Sequence, residues 1–103
     1  MKSRYVLSPE AAEDLASIWQ YINTQSSVEM ADRVESVVRE RFAFLAHNSE
    51  AGHQRRDLTD FDVRFFPVYS YLIVYRPKTK PLQVVAILHG RRDVHKILSK
   101  RPT

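Results

Sequence analysis

The residues with the widest chemical reach stand together near the end of the chain. They are His89-Gly90-Arg91-Arg92-Asp93, directly after an apolar run, with Arg64 upstream. Arginine grips phosphate or carboxylate with a planar fork of donors but keeps its protons far above neutral pH. An imidazole can give or take a proton near neutrality. Arg91 and Arg92 are candidates for gripping an anionic partner, and His89 is the one residue there suited to moving a proton. Each residue also has a plainer reading. His89 can be a strand-terminal imidazole bonded to the loop that follows, and Arg91 or Arg92 can form an ion pair with Asp93 that fixes the strand end.

Other chemistry has less support. The chain has no cysteine, which removes disulfides and thiolate metal sites. His47, His53 and His95 match no helical or hairpin ligand spacing and have no carboxylate cluster, so no metal and no cofactor are expected. Arg55-Arg56 reads as a solvated loop, and Lys78 and Lys80 as solubility charges that protect a sheet edge. Phe65, Phe66, Tyr69 and Tyr71 interleave with Arg64 in the manner of a single-strand-binding platform, although cross-strand packing also accounts for them. Trp19 and Tyr21 suit a core edge; an exposed Trp19 would anchor a partner.

The net charge of +4 is unevenly spread. Residues 1–54 carry five basic and eight acidic side chains, whereas residues 55–103 carry eleven and four. The C-terminal half is therefore the anion-facing part, suited to an acidic protein segment or a nucleic acid. A length of 103 residues predicts one domain, 1–103, with a real core. No apolar run approaches the roughly 20 residues of a membrane span, and no secretory signal is recognisable, so cytoplasm is the expected location.

Several elements must position these residues. Lys2 to Leu7 is a short β-type run with Tyr5 and Leu7 on one face. Ser8 and Pro9 then cap and open a helix over about 9–24, with Ala11, Leu15, Ile18 and Ile22 on one stripe. Ser26-Ser27-Val28-Glu29 reads as a capping box, with Glu29 returning to the cap. A second helix follows to about His47, its stripe formed by Ala31, Val34, Val38, Phe42 and Leu45. The short link predicts an antiparallel hairpin of helices. After a polar loop come strands at 63–68, 71–76 and 82–89, the first pair joined by Tyr69-Ser70 although that turn lacks glycine or asparagine. The third run is apolar on both faces, which places it centrally. Val94 to Ser99 has the length of one terminal helical turn, and Lys100 to Thr103 should fray. The predicted class is α+β, in the order β-α-α-β-β-β. The helical hairpin covers one face of a small, mostly antiparallel sheet, and Arg64 and Arg76 lie on a partly open second face.

Three segments carry a family resemblance. Tyr5-Val6-Leu7-Ser8-Pro9-Glu10-Ala11 with Asp14-Leu15 and Ile18-Trp19-Gln20-Tyr21-Ile22 resembles the first strand and helix of ParE-type toxins, within the RelE/ParE superfamily. Arg64-Phe65-Phe66-Pro67-Val68 and Tyr71-Leu72-Ile73-Val74-Tyr75-Arg76 resemble the central hairpin of those toxins. Leu88-His89-Gly90-Arg91-Arg92-Asp93 resembles their closing motif. The order and spacing cover nearly the whole chain. The resemblance implies a toxin of a type II toxin–antitoxin system, silenced in a hetero-oligomer by a cognate ParD-like antitoxin. ParE-like members inhibit DNA gyrase, whereas RelE-like members cleave mRNA on the ribosome. RelE-like enzymes place an arginine where this chain has Leu72, and a tyrosine near the C-terminus, where this chain has none after Tyr75. The ParE-like reading follows, with nucleic acid contacted only indirectly. On that reading Arg91, Arg92, His95 and Lys96 face the target, and Trp19, Arg64 and Arg76 face the antitoxin. The nuclease alternative rests on Arg64, His89 and Arg92. A chain that has lost toxicity and only binds the antitoxin is the third possibility.

Overall fold

A computed structural model describes residues 4–101; the predicted strand residues Lys2 and Ser3 and the predicted fraying residues Pro102 and Thr103 lie outside them. The element order is β1 (Tyr5–Leu7), α1 (Pro9–Gln25), α2 (Val28–His47), β2 (Arg64–Val68), β3 (Tyr71–Arg76), β4 (Leu82–His89) and α3 (Val94–Ser99). This is the predicted α+β succession, with the terminal helical turn formed. The sheet runs β1-β4-β3-β2, with β1 parallel to β4 and the other pairs antiparallel. β4 is an inner strand, and Val84 to Leu88 are all buried, as expected for a strand covered on both faces.

Local chemistry sets the helix boundaries. The Ser8 hydroxyl accepts from the Ala11 N–H at 3.0 Å, and Pro9 fills a first-turn position that needs no donor. The second cap differs from expectation. It is Ser27, whose hydroxyl accepts from the Met30 N–H at 3.1 Å. Glu29 is thus one position too early for a capping box, and Met30, at the position that returns the bond, has no acceptor to offer.

The helical hairpin buries Ala11, Leu15, Ile18, Val34, Val38 and Phe42 against one face of the sheet, where Val68, Ile73, Tyr75, Val84 and Ile87 project. The second face is not open. It carries its own core, in which Phe65, Val74, Val85 and Leu88 meet Val63 from the loop and Val94 and Leu98 of α3. The six-residue α3 provides a cover that the apolar stripes of α1 and α2 could not reveal. Arg64 moves accordingly: it shares the helix-side face with Phe66 and Val68, while Arg76 shares the other face with Val74.

β4 contains an extra residue, because Val74 pairs with Ala86 but Tyr75 pairs with Val84. Val85 and Ala86 therefore both face the second core. The polar groups around this bulge are satisfied by side chains. Asp14 accepts from the Ile87 N–H at 3.0 Å, and the Val85 carbonyl accepts from Arg101 at 3.2 Å and from the Ser8 hydroxyl at 3.3 Å. The β2–β3 turn falls at Tyr69-Ser70, and Tyr69 adopts φ 53°, a left-handed value costly for a side chain of its size.

Candidate functional site

The basic corner is built on the end of β4. The His89 ring accepts the Arg91 N–H at Nδ1, 3.1 Å away, so in the neutral ring Nε2 carries the hydrogen. The Gly90 N–H donates to the Ser70 carbonyl at 3.0 Å and the Arg92 N–H to the His89 carbonyl at 3.0 Å, which ties the corner to the neighbouring hairpin turn. Tyr71, the cross-strand partner of His89, meets the imidazole edge to face, with centroids 5.6 Å apart. Asp93 does not pair with either arginine. It caps α3, accepting the Lys96 N–H at 3.0 Å, and that role leaves Arg91 and Arg92 exposed, with no ion-pair partner among the described residues.

A pocket of about 520 Å³ opens between α1 and this corner. Ile18 and Tyr21 form one wall, and Tyr71, Ile87, His89 and Arg92 the other. Burial, and then the neighbouring Tyr21, hold the Tyr71 phenol above its ordinary range. Asp14 also reaches this pocket, but its carboxylate is already occupied. Arg101 grips it through two 2.9 Å bonds while the Ile87 N–H donates to it from β4. The same bonds raise the Arg101 guanidinium further above its already high pKa. Arg101, expected to fray, is therefore a clamp.

Arg64 is elsewhere. It pairs with Tyr75 in the register, whereas His89 pairs with Tyr71, which faces Val68 at the other end of β2. Its guanidinium donates to the Gly52 carbonyl at 2.9 Å and so holds the loop before β2. Tyr75 secures the same loop, donating to the Ser49 carbonyl and accepting the Gly52 N–H, each at 2.8 Å. A Cβ on Gly52 would sit 2.5 Å from the Tyr75 hydroxyl, so only glycine fits. The three residues of the nuclease alternative are thus split, with His89 and Arg92 sharing a pocket and Arg64 at the far end of the sheet. Leu72, where that alternative wants an arginine, packs against the second core.

The remaining candidates divide in the same way. Arg92 and Lys96 line a hollow of about 380 Å³ beside α3, with Arg91 exposed next to it. His95 instead uses its ring, donating from Nδ1 to the Leu58 carbonyl at 2.8 Å, and pins the preceding loop to α3. Trp19 is half-buried and donates its indole N–H to Asp32 at 2.8 Å. It walls a groove of about 390 Å³ between α1 and α2, floored by Ala12 and Ala16. Arg76 lies on the opposite face of the sheet, bonded to Gln83 at 3.2 Å. Trp19, Arg64 and Arg76 therefore form no single patch. Among the described residues no group of three or more histidine or carboxylate side chains could hold a metal ion, and no helix is long and apolar enough to cross a membrane.

Comparison with known proteins agrees with this fold. A solved structure described as the chromosomal ParDE TA system from P. aeruginosa superposes with a TM-score of 0.69 at 20% identity, over 84% of this chain and 98% of that one. At that identity the likeness speaks for the fold. No curated protein matches the sequence. A family profile described as "ParE toxin of type II toxin-antitoxin system, parDE" matches residues 5–94, from the first strand through the basic corner to the start of α3. The chain belongs to the ParE toxin family of type II toxin–antitoxin systems.

Proposed function

We propose that this toxin acts in the cytoplasm on DNA gyrase, by protein–protein contact rather than by cutting a nucleic acid, and is silenced in a hetero-oligomer by a ParD-like antitoxin. The observation that carries this reading is the separation of Arg64 from His89 and Arg92. A nuclease needs its phosphate-binding and proton-moving groups within hydrogen-bond reach of one scissile bond. Here Arg64 lies at the other end of the sheet, where one guanidinium nitrogen donates to the Gly52 carbonyl. Arg91, Arg92 and Lys96 form an exposed basic surface suited to an acidic patch on the target. His95, exposed beside them, is fixed in place by its bond to the Leu58 carbonyl. Trp19, Arg64 and Arg76 suit an antitoxin segment that wraps around the molecule, since they lie on different sides of it.

The test compares two targets. Purified toxin should inhibit gyrase supercoiling of relaxed plasmid, and inhibition should weaken in the Arg91→Glu, Arg92→Glu double variant. The same protein should leave ribosome-bound mRNA intact. The nuclease reading has one observation in its favour, the shared pocket of His89 and Arg92. Codon-specific cuts abolished by His89→Ala, with gyrase unaffected, would establish it instead.

A further inference from the structure

We propose that the pocket between α1 and the basic corner is a mononucleotide site, binding a nucleoside 5′-phosphate either free or at the end of a single strand. This does not depend on the identity of the toxin's target. The pocket's size, about 520 Å³, falls within the range of small-ligand sites. Its chemistry is divided. Tyr21 and Tyr71 supply flat surface on the two walls, suited to a base, and are backed by the buried Ile18 and Ile87. The rim supplies an anion seat. Arg92 has no carboxylate partner among the described residues, and the His89 Nε2–H is free to donate because Nδ1 is taken by the Arg91 N–H.

The carboxylate in the pocket wall does not oppose this. Asp14 is held by two bonds from Arg101 and one from the Ile87 N–H, so its charge is neutralised locally. An acidic side chain of a protein partner would use Arg92 and His89 but leave the aromatic walls unfilled. A nucleotide uses both halves. Tyr21 is 61% exposed and stands at the mouth, where it can lie over an entering ring.

The experiment follows backbone amide shifts of the isotope-labelled chain by NMR during titration with adenosine and uridine 5′-monophosphates, the matching nucleosides, inorganic phosphate, a 5′-phosphorylated tetranucleotide and a glutamate-containing peptide. Saturable shifts at Tyr71, His89 and Arg92 with Kd below about 1 mM are expected for the monophosphates. Nucleosides and inorganic phosphate should each bind at least about tenfold more weakly, because each lacks one half of the ligand. Arg92→Ala and Tyr21→Ala, both at exposed positions that leave the core intact, should each weaken binding by about tenfold. Lys80→Ala removes the same unit of charge from the loop at the other end of the sheet and should leave the affinity unchanged. Tighter binding of the tetranucleotide than of the monophosphates would assign the site to strand ends, and equal binding to free nucleotides. Three results would overturn the proposal. They are no shifts at these residues, phosphate binding as tightly as the nucleotides, or an acidic peptide occupying the pocket where nucleotides do not.

Discussion

Tyr75 shows how much a single hydroxyl can hold. It is fully buried, and its oxygen closes the 49–52 loop from two sides. Tyr75→Phe keeps the ring but leaves the Gly52 N–H and the Ser49 carbonyl without that partner, so a loss of about 1–3 kcal/mol is expected in urea unfolding. Burial is the largest influence on this phenol and raises its pKa; the Gly52 N–H and Arg64 pull the other way. The folded state therefore favours the neutral hydroxyl. That contribution is complete below the ordinary tyrosine pKa of about 10 and is lost as pH rises through the higher folded value. Alkaline unfolding curves should be shallower for Tyr75→Phe than for the parent chain, while the two respond alike at pH 5–8. None of this was legible in the sequence. Tyr75 reads there as one more strand aromatic, and Gly52 as a generic loop glycine, because a side-chain-to-loop bond leaves no periodic trace. The role of His89 was legible, since a histidine that ends an inner strand before Gly-Arg-Arg has a following backbone N–H within reach.

At the scale of elements, the helices and strands were legible because each carries its own period and punctuation. Phe42 and Leu45 fall on the α2 stripe and are completely buried. Phe42 also meets Tyr5 of β1 with ring centroids 5.2 Å apart, so it joins the second helix to the first strand. Phe42→Ala should cost about 3–5 kcal/mol, read as a lowered denaturant midpoint with an unchanged slope. Less regular connections were hidden. The capping box failed by one residue because two adjacent serines offer two competing caps. α3 was legible as a helical turn, but its role as the cover of the second face was not. Only the sheet register, with its extra Val85, shows how much apolar surface that face presents. The Asp14–Arg101 clamp was the least legible feature, since two charges far apart in sequence give no local signal.

For the whole molecule, the uneven charge matters through its field. The basic half gathers Arg91, Arg92, Lys96 and Lys100 around one end, all exposed. Such a patch speeds encounter with an acidic partner, while buried apolar contacts set how long the complex lasts. Stopped-flow mixing of antitoxin with the Arg91→Glu, Arg92→Glu double variant should show association slowed by about tenfold at low ionic strength, with little change in dissociation. The difference should shrink as salt approaches about 1 M, where the screening length falls to about 3 Å. An equal slowing at all salt concentrations would point to lost contact rather than lost attraction. The strand order has a separate consequence, in time rather than space. β1 is the first of the described strands, yet among the described residues it pairs only with β4, the last strand in sequence, and β4 also accepts β3 on its other edge. The helical hairpin can assemble from neighbours, but the sheet closes only when its two ends in sequence meet. Closing such a loop costs entropy before any contact rewards it, which slows folding. Because β4 follows the other strands in the chain, a partner already present would meet a newly made chain whose β1 is still unpaired.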